Sequence, residues 1–423
     1  MNLFVGLDVS SETLEACFLG NQIDQVFLRT RFTNDTVGAS QIKNEIIKLN
    51  DENHFKKIMI GMESTSLYSF HPAIFFQNDQ ELKALNVKTV IEDPRRVRKY
   101  AESYDTDKTD YNDAFIIADY LRIGRGTTSP MREEKFMALQ RLTRSRYQLI
   151  QQLTETKQHF LENLYYKVNT LSRELDSVQV FSATTIELMT EELSVDDLAN
   201  MPLEDLAELV QKKGHGRFKD PEVFAKTIQK ACRNSYRLDK AMADSIDTIL
   251  GILAREMRGL TKSIKDLNKA IEDLVSTTPE YKCLTSIPGV GPVYAAGILA
   301  EIGQIERFPD QAQLAKYAGL TWKRKQSGNF ESENTKLSQT GNRYFRYYLV
   351  EAANSVKNRV PEYKTFYQRK YAETPKHKHK RALVLTARKF VRLVGNHQLY
   401  MPPKEAKAGS YTYSTLQTTL RVW

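Results

Sequence analysis

Asn2-Leu3-Phe4-Val5-Gly6-Leu7-Asp8-Val9 reads as a buried strand that delivers an acid at its end. Ser10-Ser11 turn the chain, Leu14 to Phe18 begin a second strand, and Val26 to Phe32 form a third. Asn34-Asp35 offer a cap for a helix running to about Leu49. Lys57 to Met62 is another short apolar run, followed at once by Glu63. Tyr68 to Gln77 reads as helix and Val87 to Ile91 as strand. Three early strands, then alternating helices and strands, predict an α/β or mixed-sheet domain over residues 1–128.

The segment Lys108-Thr109-Asp110-Tyr111-Asn112-Asp113-Ala114-Phe115-Ile116-Ile117-Ala118-Asp119-Tyr120 closes that domain. Ala114, Ile117, Ala118 and Leu121 recur at helical spacing, and Asp110 and Asp113 leave the same helix face. Paired carboxylates repel unless a cation relieves them. The pair also suits an acidic first turn facing the helix dipole. Asp8 and Glu63, both at strand ends where α/β sheets build sites, turn the pair into a set of four. Hard oxygen donors without Cys or His suit Mg²⁺ or Mn²⁺ rather than zinc. Two such ions roughly 4 Å apart stabilise the attacking and leaving oxygens of a phosphodiester.

The chain has 423 residues and a formal net charge of +9, and its basic residues cluster, which points to a polyanion partner. Arg95, Arg96, Arg98 and Lys99 precede the Asp110 helix, with Lys108 beside it. Lys323, Arg324 and Lys325 precede Ser327, with Trp322 adjacent as a stacking surface. Arg343 and Arg346 follow, interleaved with Tyr344, Phe345, Tyr347 and Tyr348. Lys376 to Arg381, Arg388, Lys389 and Arg392 extend the run. Arginine among aromatics suits phosphate contact and base stacking, although Tyr344, Tyr348 and Leu349 also share a helix face that suits a core. The three cysteines, Cys17, Cys232 and Cys283, show no metal-ligand spacing, and the opening residues carry no signal peptide. A reducing, cytoplasmic location is expected. No apolar run approaches the roughly 18 residues of a membrane helix.

From residue 129 to 280 the chain reads as helical coiled coil. Leu139, Leu142, Leu149, Leu153 and Phe160 fit a heptad seam that Arg146 and Thr156 interrupt. Ile246, Leu250, Leu253, Met257, Leu260, Ile264, Leu267, Ile271 and Leu274 alternate by four and three, a cleaner seam. The two are expected to pair antiparallel, or with another subunit as a dimer or tetramer. A polar helical insertion near 176–240 separates them. From 281 to 400 the chain becomes a third, mostly helical domain. It contains the tight turn Ile287-Pro288-Gly289-Val290-Gly291-Pro292, a polar loop from Lys323 to Ser338, and a helix from Asn342. Glycines in such a turn let backbone N–H groups reach phosphate, as in a helix-hairpin-helix, or simply let two helices pack. Residues 401–423 read as a tail.

Gly6-Leu7-Asp8-Val9-Ser10, Gly61-Met62-Glu63-Ser64-Thr65, Asp93-Pro94-Arg95-Arg96-Val97 and Lys108-Thr109-Asp110 with Asp113-Ala114 resemble the RuvC-like domain of DEDD insertion-sequence transposases. Independently, Ile287 to Pro292, Tyr317-Ala318-Gly319-Leu320, Gln326-Ser327-Gly328 and Gly341-Asn342-Arg343-Tyr344-Phe345-Arg346 resemble that family's second transposase domain. The resemblance implies an α/β RNase H/RuvC-like N-terminal domain, a long coiled coil and a mostly α-helical C-terminal domain. It implies a recombinase acting on donor and target DNA and guided by a bridge RNA. Asp8, Glu63, Asp110 and Asp113 would hold Mg²⁺ (or Mn²⁺), and Ser327 would be the nucleophile. Nothing in it explains the insertion.

Three other readings compete. A Holliday-junction-type nuclease would use the four acids and water, with Ser327 a bystander. An actin-like or sugar-kinase ATPase would need Gly-rich phosphate loops after strands, whereas Gly289 and Gly291 sit between helices. A non-catalytic nucleic-acid scaffold would leave the acids as a solvated face.

Overall fold

The computed structural model describes the chain except for residues 65–66, 105–109, 127–131, 191–192, 323–325, 328–329, 332–336, 339 and 396–423. At 110–111, 326–327 and 330–331 it describes the backbone alone. The chain divides into two compact units, Met1–Glu133 and Glu134–Trp423.

In the first unit, five strands among the described residues form one sheet: β1 (Asn2–Val9), β2 (Thr13–Leu19), β3 (Val26–Thr33), β4 (Lys57–Glu63) and β5 (Lys88–Glu92). Their order is β3-β2-β1-β4-β5, with the first three antiparallel and β4 and β5 parallel to β1. This mixed sheet is compatible with an RNase H-like fold. Side chains alternate between faces. Leu3, Val5, Leu7, Ile58, Ile60 and Met62 pack with Ala39, Ile42 and Ile46 of α1 (Thr36–Asn53) and with Ala73 and Phe76 of α2 (Phe70–Asn78). Asp35 caps α1, accepting from the Gly38 N–H at 2.8 Å. A short helix, α3 (Gln80–Ala84), leads into β5. On the other face Phe4, Met59 and Val90 pack with Leu121, and Cys17 and Leu19 with Ala114 and Ala118. These last residues belong to α5 (Asp110–Arg122), which follows α4 (Pro94–Ala101).

The second unit opens on α6 (Glu134–Lys167), continues through α7 (Leu171–Glu174), α8 (Ser177–Val180), α9 (Ala183–Thr190), α10 (Val195–Asn200), α11 (Leu203–Lys213) and α12 (Pro221–Arg233), and reaches α13 (Lys240–Val275). The two long helices pack antiparallel within the chain. Arg146 Nε donates to Asn268 Oδ1 at 2.6 Å, and Lys167 pairs with Asp247 at 2.8 Å. Of the predicted seam, Leu250, Met257, Ile264 and Ile271 are buried, whereas Leu253, Leu260, Leu267 and Leu274 are half-buried. Thr156 fits a buried position because its hydroxyl donates to the Gln152 carbonyl at 3.0 Å. The segment predicted as a polar insertion has its own core: Leu188, Leu198, Leu206, Val210 and Ile228 close on Phe160 and Leu164 of α6 and on Ile246 and Leu250 of α13.

The remainder is a helical cluster of α14 (Pro279–Thr285), α15 (Pro292–Ile302), α16 (Gln311–Tyr317), α17 (Arg343–Arg359), α18 (Pro361–Glu373) and α19 (Lys378–Val394), with a two-stranded ribbon, β6 (Gln326–Ser327) and β7 (Phe330–Glu331). The predicted turn between α14 and α15 is present. Its Gly289 has φ +100°, and a Cβ there would lie 2.8 Å from the Val356 backbone, so glycine serves the approach of α17.

Candidate active site

Two glycines in the first unit let α5 lie close against the sheet beside the predicted acids. Gly6 pairs with Gly61 across β1 and β4, on the sheet face covered by α5. A Cβ on Gly6 would lie 2.2 Å from the Ala114 carbonyl oxygen, and one on Gly61 would lie 2.6 Å from Leu121 Cδ1. The helix therefore lies directly on backbone. Two residues beyond each glycine, on the same face, stand Asp8 and Glu63. Asp113 precedes Ala114 on α5, and Asp110 opens that helix one turn earlier. Asp8, Glu63 and Asp113 are half-buried.

The donor set fits a hard divalent cation: carboxylates from two neighbouring strand ends and from the helix laid across them. Among the described residues no three acids, histidines or cysteines are grouped as a metal site. The side chain of Asp110, the fourth predicted ligand, lies outside those described.

Two further acids on this unit escaped the sequence reading. Glu92 pairs with Glu63 in the β4–β5 register, shares its sheet face and is 1% exposed. Asp119 is fully buried and accepts hydrogen bonds from the Tyr100 and Tyr104 hydroxyls and, at 2.6 Å, from Arg122 Nε. Burial, reinforced by Asp119, pushes both tyrosine hydroxyls above their ordinary pKa and keeps them neutral donors. This cluster ties α4, through Tyr100, and the chain just after it, through Tyr104, to α5. Arg95, Arg96, Arg98 and Lys99 stand exposed on α4, while Val97 faces inward. Asp93 caps that helix. Its hydrogen bond from Arg95 holds its carboxyl below the ordinary value. Lys108 lies outside the described residues.

In the second unit, Ser327 lies on β6, in register with Phe330 of β7. Lys323, Arg324 and Lys325 lie outside the described residues. Backbone hydrogen bonds close the base of this loop. Trp322 bridges Leu337, the Ser338 N–H donates to the Thr321 carbonyl at 2.7 Å, and the Asn342 N–H to the Tyr317 carbonyl at 2.7 Å. Gly341, at φ +146°, has no room for a Cβ, which would lie 2.6 Å from the Tyr317 carbonyl oxygen. Arg343 is exposed, 4.8 Å over the Tyr344 ring. Arg346 is half-buried and donates to the Ala318 carbonyl at 3.1 Å, so it braces the loop base. Phe345, Tyr348 and Leu349 are core.

The first unit thus carries Asp8 and Glu63 at neighbouring strand ends, and the second carries Ser327 on a short ribbon. Comparison with known proteins gives the class directly. Residues 5–166 match the family model of the DEDD transposase of IS110, and residues 281–368 match the family described as "Transposase IS116/IS110/IS902 family". The chain is 26% identical over 308 residues to the insertion element IS116 44.8 kDa protein of Streptomyces clavuligerus, covering 70% of this chain and 73% of that one. It is 25% identical over 316 residues to the IS900 42 kDa protein of Mycobacterium paratuberculosis, covering 73% and 77%. A shorter match, 30% identical over 118 residues, joins 27% of the chain to 37% of the pilin gene-inverting protein of Moraxella bovis. The protein is an enzyme acting on DNA, a transposase or recombinase. It belongs to the DEDD insertion-sequence transposase family. Among the described residues no helix is long and apolar enough to cross a membrane.

Proposed function

We propose that the chain cleaves and rejoins DNA through a covalent serine intermediate, with Asp8, Glu63, Asp110 and Asp113 holding Mg²⁺ (or Mn²⁺), Ser327 as nucleophile, and a bridge RNA selecting the donor and target sequences. The observation that carries the acidic half is the docking of α5 on Gly6 and Gly61, with Asp8 and Glu63 on the sheet face it covers and Asp113 on the helix itself. A divalent ion, when bound, supplies charge stabilisation at the phosphate. The protein's own groups do the rest. The Ser327 hydroxyl gives up its proton and its oxygen bonds to phosphorus; the bridging DNA oxygen leaves and is protonated. The ester keeps the phosphodiester energy for rejoining, which hydrolysis would discard. Exposed Arg95, Arg96, Arg98, Lys99 and Arg343 offer phosphate contacts, and Lys108, Lys323, Arg324 and Lys325 belong to the same basic set.

Ser327→Ala is expected to bind DNA and RNA yet form no protein–DNA adduct and no recombinant. Ser332→Ala and Ser338→Ala are expected to stay active. Cleavage by Ser327→Ala at the wild-type rate would instead support the nuclease that acts through activated water. RNA that co-purifies with the protein, once sequenced, tests the guide: a transcript from the element itself is expected.

A further inference from the structure

We propose that Glu301 is a positioning residue for the serine loop, clasping α6 to the point where the loop rejoins the fold. This rests on the assignment of Ser327 above.

Glu301 lies in the last turn of α15 and is fully buried. Its carboxylate receives Arg144 Nε at 2.7 Å and Arg144 Nη2 at 2.9 Å. It also receives Gln140 Nε2 at 2.9 Å and Asn342 Nδ2 at 2.5 Å. Burial alone would lower the Arg144 pKa; its bonds to Glu301 more than offset this, and the net shift is upward. A buried carboxylate is tolerated only when so fully paired.

Asn342 is where the network meets the loop. Its Oδ1 accepts the Tyr344 and Phe345 N–H groups, each at 3.0 Å, and so caps α17. Serine or aspartate would cap as well. Only the amide adds an N–H that reaches both Glu301 and, at 2.8 Å, the Tyr317 hydroxyl. Tyr317 precedes the outgoing arm of the loop and Asn342 ends the returning arm. Glu301 thus holds the returning end through Asn342, whose amide in turn bridges to Tyr317 at the outgoing end, and it ties this junction to Gln140 and Arg144 of α6. Arg144 also lies 4.5 Å over the Tyr344 ring, beside the same junction.

The test uses the full-length protein and two readouts. One is exchange of the Ser338 amide, which bonds across the loop base. The other is the rate of adduct formation on a nicked DNA substrate that traps the covalent state. Asn342→Ser keeps the cap and removes the amide donor. It is expected to fold cooperatively and bind DNA within about twofold of wild type, while Ser338 exchange quickens and adduct formation slows, each tenfold or more. Glu301→Gln is expected to act in the same direction. Asn342→Asp sets a second carboxylate against Glu301 and is expected to be worse than Asn342→Ser. Combining Asn342→Asp with Glu301→Gln restores one amide and one carboxylate at the junction, and adduct formation is expected to recover to within about threefold of wild type. Unchanged exchange in Asn342→Ser, or quickened exchange with an unchanged adduct rate, overturns the proposal. So does failure of the double variant to recover while it remains folded. If Glu301→Gln fails to fold, Asn342→Ser decides, because it leaves the Arg144 pair intact. Adduct formation by Ser327→Ala would mean that the nucleophile is misassigned; Ser338 exchange would still report whether the clasp exists.

Discussion

At Gly6 a methyl group has nowhere to go: the nearest atom is a backbone oxygen of α5, which cannot swing aside. Gly6→Ala is therefore expected to lift α5 from the sheet, at about 1–3 kcal/mol of stability. Because misplacement of about 1 Å at a catalytic group costs on the order of 100-fold, recombination should fall by about that much while DNA binding persists; strand-cleavage assays and gel shifts check it. Breaking the Glu301–Arg144 pair with Glu301→Ala should cost about 3–5 kcal/mol, because it strands a guanidinium against a buried surface; chemical denaturation measures it. The cysteines give a pH test. Burial raises the Cys17 thiol from 9.0 to about 11, against a lowering by Arg29, and burial raises Cys232 likewise to about 11. Both groups favour the neutral form in the fold, so their contribution is intact below pH 9 and is lost as pH rises towards 11. At pH 8 iodoacetamide is expected to label Cys283, which is part-exposed, well before the other two, and to reach all three on unfolding. The strand-end positions of Asp8 and Glu63 were legible in the sequence because each ends an apolar run. Glu92, Asp119 and Glu301 were not, because a buried charge looks like any polar letter. Asp119 did leave a trace: Ile116, Ile117, Ala118, Tyr120 and Leu121 make its helix apolar nearly all round, so an acid there had to be enclosed.

Elements were more legible than contacts. β1 to β5, α1 and α2 follow from apolar runs and a capping Asp35, signals local in the chain. The pairing of β1 with β4, Gly6 against Gly61, and the closeness of α5 to Gly6, Ala114 against Gly6, depend on partners far along the chain, which periodicity does not encode. The long helices show the same divide. Their heptads announced pairing, but left open whether it lay within the chain or between chains. The observed pair buries one row of the α13 seam, Leu250, Met257, Ile264 and Ile271, and leaves Leu260 and Leu267 half-covered. If the half-covered row is where subunits meet, Leu260→Gln with Leu267→Gln should shift sedimentation towards the monomer without unfolding the chain. Ile264→Asn, within the buried row, should unfold it by about 2–5 kcal/mol. A double variant that stays oligomeric and active would assign assembly elsewhere.

For the whole molecule, one family match, residues 5–166, covers most of the first unit and runs on through α6 of the second, and the other, 281–368, holds the serine ribbon. Neither unit alone has both a carboxylate site and a covalent nucleophile under the proposed assignment. The net charge of +9 and the exposed basic residues imply DNA binding that weakens steeply with salt, whatever the DNA sequence. Chelation with EDTA should abolish cleavage and leave that salt-dependent binding in place, and Asp8→Asn should do the same in the presence of Mg²⁺. The central claim is the bond between Ser327 and DNA. The most direct measurement is tandem mass spectrometry of the trapped protein–DNA adduct after nuclease and protease digestion. A phosphonucleotide on Ser327 is expected, absent from Ser327→Ala. An adduct on any other residue, or active protein that forms recombinants with no adduct at all, would contradict the account.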